Sequence, residues 1–575
     1  MSSLQTRRPL AGLRGRALAW TPGPKGRECA GGTGVVRGTG RPKAVGGLVA
    51  ILIAVLAAPA GAQQVAANTA ASGPEPLFIR EFRVEGARKL PRLAVEEAVY
   101  PYLGPGRAPG DVELARAALE KAYHDSGYQT VGVQVPAQDG RSGIIRLVVV
   151  EVPIGRLRVR GARYSSPASI KAMAPSLAEG TVADFSAIPK DIVALNQVPD
   201  RRVTPSMRPG VEAGTVDVDL EVKETAPVHA SVELNNRNGP NTDPLRVNAS
   251  VSATNLWQSG HALGVSFQGS PQKPSQVRVF SAYYLARFRD PDAPSLLIQG
   301  TKQDSNVSTL GDVAVAGRGQ TVGLRAIFNL PSDREFTQSV SAGFDYKHFN
   351  QTVNLGTTST GAPNVVVTPI TYYPLSANYT ASWPREHSTT EANAGVTFHV
   401  RGLGSSSAQF NDNRFSADSS FIYFRGDLSH TRDLPGGLQL FGKLQGQIAD
   451  QPLLSAEQAT GGGLGTVRGY LEGEQVGDNA LFGSLELRSP QLVGLFGKIK
   501  GDWRIYVFSD AGWLTVIDPL PEQKNHFDFL SYGAGTRMRV ADRFDGSLNV
   551  SFPKLKQGQT LASDVRVTFQ AGLIY

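Results

Sequence analysis

The closing stretch of the chain, Asp564-Val-Arg-Val-Thr-Phe-Gln-Ala-Gly-Leu-Ile-Tyr575, alternates almost throughout. Val565, Val567, Phe569, Ala571, Leu573 and Tyr575 fall on one face of an extended strand, and Asp564, Arg566, Thr568 and Gln570 on the other. Successive strand side chains point to opposite faces, so one face is apolar and the other polar. The same texture runs upstream. Leu245, Val247, Ala249, Val251 and Ala253 share a face, as do Phe336, Val340, Ala342, Phe344 and Tyr346. From Val228 onward helical periodicity is lost, and Gly, Asn, Ser and Thr punctuate alternating segments of about ten residues. A count over 228–575 returns about sixteen such segments, an even number as a closed single-chain barrel needs. A β-sandwich of this length would need apolar inner faces. A polar face on nearly every strand instead suits a wall between lipid and a watery lumen. The expectation is an all-β transmembrane barrel of antiparallel strands over 227–575.

The formal charge of +8 is misleading. Nine of the 58 basic residues (Arg7, Arg8, Arg14, Arg16, Lys25, Arg27, Arg37, Arg41, Lys43) and one of the 50 acidic ones (Glu28) lie within residues 1–62, leaving 49 of each sign. A near-neutral remainder removes the electrostatic case for a nucleic-acid partner. The basic run precedes an apolar stretch, Ala44 to Ala58, and then Pro59-Ala60-Gly61-Ala62-Gln63. This is the pattern of a signal peptide over 1–62, with cleavage expected between Ala62 and Gln63 and small residues at Ala60 and Ala62. Its apolar stretch is shorter than the roughly 20 residues of a membrane-spanning helix. The one cysteine, Cys29, lies in this leader, so the exported chain has no disulfide framework, thiolate site or cysteine nucleophile. Residues 63–76 are small and polar and read as a flexible segment.

Two units of similar order follow. In 77–153 a strand at Phe78–Val84 precedes a helical stretch at Leu93–Tyr102. A second helix has Asp111 as its N-cap candidate and Leu114, Ala115, Ala118, Leu119, Ala122 and Tyr123 in one stripe. Gly127 ends it, and strands are expected at Tyr128–Pro136 and Ile144–Val152. In 154–226 the order repeats: a strand at Ile154–Val159, helices at Ser166–Ala174 and Asp184–Val198, and strands at Arg202–Arg208 and Thr215–Val222. Two tandem small α+β units of βααββ order form an internal repeat.

Within the barrel region stands Gly461-Gly-Gly-Leu-Gly-Thr-Val-Arg-Gly-Tyr470, followed downstream by Phe508-Ser-Asp-Ala-Gly512. The pair resembles the signature of the outer-membrane barrel superfamily that moves or inserts other proteins. The two α+β units resemble POTRA (polypeptide-transport-associated) domains, the first especially in Tyr123-His-Asp-Ser-Gly-Tyr-Gln-Thr-Val-Gly-Val-Gln-Val-Pro-Ala-Gln-Asp-Gly140. With the terminal aromatic Tyr575, residues 77–575 resemble the transporter component of two-partner secretion, the haemolysin and filamentous-haemagglutinin secretion/activation family.

That resemblance implies a transporter rather than an enzyme. The loop motif Val467, Arg468, Gly469 and Tyr470 would fold back into the barrel, with Arg468 held by Asp510 on the wall strand that also carries Phe508 and Gly512. A guanidinium buried in a lumen needs a fixed carboxylate and offers it a rigid fork. Phe569 and Tyr575 would form a C-terminal signal read by the barrel-assembly machinery. The partners implied are an unfolded secreted exoprotein and outer-membrane lipid, in the outer membrane of a Gram-negative bacterium with the POTRA units in the periplasm. An assembly or insertion factor of the same superfamily and a passive porin are the alternatives. Many family members carry an N-terminal plug helix. The composition of residues 63–76 predicts none here.

Other chemistry is not indicated. The eight histidines show no metal-ligand spacing and read as surface or lumen residues. Gly461 to Gly465 lacks the Lys-Ser/Thr of a phosphate loop, and no Gly-x-Ser-x-Gly elbow occurs. Asp542 and Asp545 flank Arg543 as solvated turn residues. Trp257, Trp383, Trp503 and Trp513 suit interfacial girdles, with lumen filling as the other option. No cofactor, metal or catalytic residue is expected.

Overall fold

The computed structural model describes residues 77–575 apart from 289–292, 311–312, 333–334, 358–362 and 498–499. The expected leader, with cleavage expected at Ala60, Ala62 and Gln63, the segment 63–76 and the expected absence of a plug helix there lie outside the described residues.

In the first unit, strand Glu81–Glu85 runs parallel to Ile144–Val150, which pairs antiparallel with Gly132–Gln134. Helices Arg92–Val99 and Pro109–Asp125 pack on this sheet. Ala115, Leu119 and Tyr123, one helical stripe, are fully buried against Val95, Val99, Ile145, Leu147 and Val149. Truncating Leu119 or Tyr123 to alanine costs about 2–5 kcal/mol. The second helix starts earlier than Asp111 suggested. Ala108 is the N-cap, Pro109 takes the first position, and Asp111 reaches back from the third to accept the Ala108 N–H at 2.8 Å. Proline is pre-organised for that first position because the missing N–H has no helical partner there. The first strand is divided. Leu77–Ile79 pairs with Gly104–Arg107, while the N–H groups of Arg80 and Glu81 share the Gly143 carbonyl at the break.

The second unit repeats the order, with Ile154–Arg160 parallel to Val216–Glu224 and that strand antiparallel to Arg201–Pro209. Its helices, Pro167–Ala172 and Ile188–Leu195, are shorter than the sequence suggested. The Asp184 carboxylate accepts from the N–H groups of Ser186 and Ala187 at 2.8 and 3.3 Å, holding a turn where helix was expected. At the other end Asn196 pairs through its side chain with the backbone of Val203.

Sixteen antiparallel strands close the barrel. The eighth is interrupted: Pro363–Tyr372 and Leu375–Arg385 both pair with Thr337–Thr357, on either side of a break at Tyr373 and Pro374. Pro374 has no N–H to give the ladder. The sixteenth strand, Arg566–Ile574, pairs with the first, Val228–Asn235, from Ser231 opposite Ile574 to Asn235 opposite Gln570. This is the shortest ladder of the wall. Closure satisfies every strand edge, which a hydrocarbon environment demands. The last strand sorts as lipid and lumen require: Val567, Leu573 and Tyr575 are exposed, and Thr568 is buried. Trp383, Trp503 and Trp513 lie on the outward register, so the lumen-filling option fails for them. Among the described residues no helix is long and apolar enough to cross a membrane.

The second unit meets the barrel at the turn between its second strand, Arg246–Leu256, and third, His261–Gly269. Gln258 accepts from the Ser166 N–H at 2.8 Å and donates to the Tyr164 carbonyl at 2.9 Å. Asp200 accepts from Thr225 at 3.0 Å, pairs with His229 at 2.8 Å and is capped by the Thr254 hydroxyl. Burial works against ionisation of Asp200, and the bonds from Thr254, His229 and Thr225 outweigh it, holding the carboxyl below the usual aspartate range. Since the α+β units lead into the first strand, this turn marks their end of the barrel. The loop between the eleventh strand, Gln439–Ala449, and the twelfth, Asn479–Arg488, leaves from the opposite end.

Candidate functional site

That loop does not extend outward. A two-stranded neck, Ala459–Gly461 with Gln475–Gly477, carries a tip that turns back against the inner wall. Two strands present the receiving surface. Ser484, Glu486 and Arg488 share the lumen face of the twelfth strand, and Tyr506, Phe508 and Asp510 that of the thirteenth, Gly501–Thr515, with Ser484 directly opposite Asp510.

Arg468 occupies the centre. Its Nε and Nη2 donate to the two oxygens of Asp510, both at 2.7 Å, and its backbone N–H reaches the same carboxylate at 3.0 Å. Nη1 donates to Glu486 at 2.5 Å and Nη2 also to the Ser484 hydroxyl at 2.9 Å. The guanidinium lies 3.6 Å from the Phe508 ring centroid. Glu486 is shared with Arg488, which donates from Nε and Nη2 at 2.8 and 2.7 Å. Two cations and two anions thus balance. Arg468, Glu486 and Asp510 are only 6%, 4% and 1% exposed. Charges so desolvated persist only when paired and hydrogen-bonded.

The flanking motif residues seat the arginine. Val467 is fully buried, in an apolar cluster with Phe482, Leu514, Phe527 and Phe529. Tyr470 packs edge-on to Phe529 and donates its hydroxyl toward the carbonyls of Leu555 and Leu530 at 2.9 and 3.1 Å. Gly469 adopts φ +95°, a left-handed conformation that L side chains rarely take, and a Cβ there would stand 3.2 Å from Ser551. Gly512 is a close-approach glycine: a Cβ on it would lie 2.2 Å from the Phe482 ring that crosses it. Phe569 and Tyr575 stand apart from this cluster. Phe569 donates its N–H to Asn236 at 2.8 Å, and Tyr575, 81% exposed, exchanges backbone bonds with Ala230 at 2.8 and 3.1 Å.

Several residues of the seat were not picked out from the sequence. Ser484 and Glu486 had a usable signal, since they hold polar positions of an alternating strand near the Asp510 strand. The carboxylates along the loop had none. Glu472 pairs with Arg237 at 2.8 Å and its N–H bonds the Asn238 carbonyl at 3.0 Å. Glu474 accepts from the Thr560 N–H and hydroxyl at 2.7 and 2.5 Å. Asp478 accepts from the N–H groups of Leu453 and Ile517 at 2.9 and 2.8 Å. His399 keeps to the lumen reading: it ends the ninth strand, Ser388–His399, on the same inward register as Phe421 and Tyr423. It is buried between Phe421, at the start of the next strand, and Phe410, on the short helix Ser407–Asn413 of the connecting loop. Asp542 remains a turn residue, while Asp545 lies on a strand and pairs with Arg539 at 3.0 Å. Among the described residues no three His, Cys, Asp or Glu side chains are placed to hold a metal ion.

A family model described as haemolysin secretion/activation protein ShlB/FhaC/HecB matches residues 214–538, and one described as POTRA domain, ShlB-type, matches residues 77–152. No curated protein matches the sequence. Among solved structures, CdiB from Escherichia coli is similar at a TM-score of 0.63 and 19% identity, over 89% of this chain and 93% of that one. CdiB from Acinetobacter baumannii is similar at 0.56 and 14%, over 87% and 90%. BamA from Haemophilus ducreyi lacking POTRA domains 1-3 gives 0.49 and 14%, over 87% and 100%.

Proposed function

Since the chain belongs to the haemolysin secretion/activation family, a family of outer-membrane transporters and not of enzymes, we propose that it secretes one unfolded exoprotein across the outer membrane. Its α+β units would stand in the periplasm and capture the cargo. Strand addition suits that task, because backbone hydrogen bonds along a sheet edge accept an extended chain of almost any sequence. In the first unit the edge strands are Glu81–Glu85 and Gly132–Gln134. The captured chain would pass through the barrel extended and fold outside. With no nucleotide site in the sequence, folding on the far side would supply the bias.

The observation that carries this reading is the seat of Arg468. A passive pore needs no buried loop locked by five hydrogen bonds to two wall strands. A transporter that must hold a loop in one working position does. Quantitative proteomics of culture supernatant and outer membrane tests it, comparing cells with the protein, without it, and with Arg468→Ala. Loss of one large secreted protein with other barrels unchanged is the expected result. Broad depletion of outer-membrane barrels would make the protein an assembly factor, and no change in either fraction would leave a pore for small solutes.

A further inference from the structure

Glu457, near the start of the luminal loop, is 1% exposed and plays no part in the Arg468 cluster. Its Oε1 accepts from Lys347 Nζ at 2.6 Å and from the Tyr372 hydroxyl at 2.7 Å, and its Oε2 from the Tyr423 hydroxyl at 2.9 Å. Those donors come from the seventh strand, Thr337–Thr357, the eighth, and the tenth, Phe421–Asp433, on the other side of the eleventh strand from the twelfth and thirteenth. Its backbone carbonyl accepts from Gln447 and Arg425 at longer range, 3.2 and 3.3 Å. Leu453 and Leu454 pad this end against Phe349, Tyr372, Phe410 and Phe421.

Among its buried charges the loop thus sets Glu457 against a wall cation and Arg468 against wall anions. Lys347 and Arg425 face the Glu457 end, and Asp510 and Glu486 the Arg468 end. Glu457 set on Asp510 and Glu486, or Arg468 set on Lys347, would bury like charges together, so these two pairs favour the observed seating.

The two attachments differ in kind. Arg468 has a bidentate carboxylate, a second carboxylate, a backbone bond and an aromatic face. The Glu457 carboxylate has one lysine, a flexible and strongly hydrated cation, and two neutral hydroxyls, with only the two longer bonds to its backbone carbonyl beside them. We propose that Glu457 is a second positioning residue of the loop, a releasable clasp on Lys347, and that the loop swings about the fixed Arg468 end when a polypeptide passes.

The only native cysteine is Cys29, so single reporters can be introduced in a Cys29→Ser background. Ala456→Cys reports the Glu457 end and Leu464→Cys the Arg468 end, each read by its rate of reaction with a water-soluble maleimide in purified protein whose barrel resists SDS unheated. Glu457→Gln keeps the shape and, with one tyrosine hydroxyl accepting from the amide NH2 where it donated before, both tyrosine contacts, but loses the charge. It should raise labelling at position 456 about tenfold or more, the scale of a lost charge-assisted hydrogen bond, and leave position 464 within about twofold. The exchange Lys347→Glu with Glu457→Lys should restore much of the protection. Equal increases at both positions, or none at either, would overturn the proposal. If Glu457→Gln does not assemble, Tyr423→Phe should show the same one-ended pattern at smaller scale, and an increase shared by both ends would overturn it equally. A second readout rests on the transport reading: cysteines at 347 and 457 bridged by a bis-maleimide should stop secretion, and single blocking of each thiol should not. Secretion that continues through the bridge would refute the swing, whereas accessibility is read without cargo, so the two can fail separately.

Discussion

Replacing Arg468 by alanine removes a cation from between two carboxylates of unequal resources. Glu486 keeps Arg488, which holds it with two bonds of 2.7 and 2.8 Å. Asp510, 1% exposed, keeps only the Ser484 hydroxyl at 2.7 Å among its side-chain donors. An unpaired buried charge of this kind costs about 3–5 kcal/mol. At about 1.4 kcal/mol per decade, that shifts the ratio of seated to unseated loop by roughly 150- to 4,000-fold. Asp510→Ala leaves Arg468 on Glu486 and should cost somewhat less. In the double variant neither charge is orphaned, so its cost should fall short of the sum of the singles by about 1.5 kcal/mol or more. The assay is amide hydrogen exchange of the 464–474 segment in lipid nanodiscs, where protection reports the free energy of local opening. Additivity of the two substitutions within about 0.5 kcal/mol would refute a direct lock, as would unchanged protection in Arg468→Ala.

Three further outcomes are expected. Gly469→Ala forces a Cβ into a left-handed conformation beside Ser551 and should weaken loop protection by about 1–2 kcal/mol, with the wall strands unaffected in the same exchange experiment. Asp200, whose carboxyl is held below its ordinary value, adds stability that is complete above about pH 4 and fades as pH falls through the lowered folded value. Trp257 fluorescence should therefore report a junction that loosens as pH falls below about 4, and a junction that stays closed there would contradict this. Tyr575→Ala leaves the backbone bonds with Ala230 in place, so an assembled barrel should melt as before. If the side chain is the assembly signal, the amount reaching the outer membrane should drop severalfold, and an undiminished yield would count against that role.

The wall was readable because lipid and water select opposite residues at every second position, and this holds over stretches as long as Arg566–Ile574. Helix limits in the α+β units were less readable, since Asp111 and Asp184 form side-chain bonds to nearby backbone that serve a helix start or a turn equally well. Arg468 and Asp510 stood out by their motifs, one with Gly469 in a left-handed conformation and the other with Gly512 at a close approach. Glu457 did not. Its partners are 110, 85 and 34 residues away, on three different strands, and only the curvature of the closed wall brings them together. The same applies to Arg237, which meets Glu472 across 235 residues.

The loop also touches both sides of the shortest ladder. Glu472 binds Arg237 and Asn238, just past the end of the first strand, and Glu474 binds Thr560, just before the sixteenth. Arg468, in contrast, needs only the two strands that follow the loop in the chain. During biogenesis its lock has all its parts as soon as those strands pair, while the bonds of Glu472 and Glu474 wait until the first and last strands meet. A fully docked loop is thus a chemical record that the cylinder has been completed, and a protease that cuts between 471 and 475 would tell unfinished barrels from finished ones.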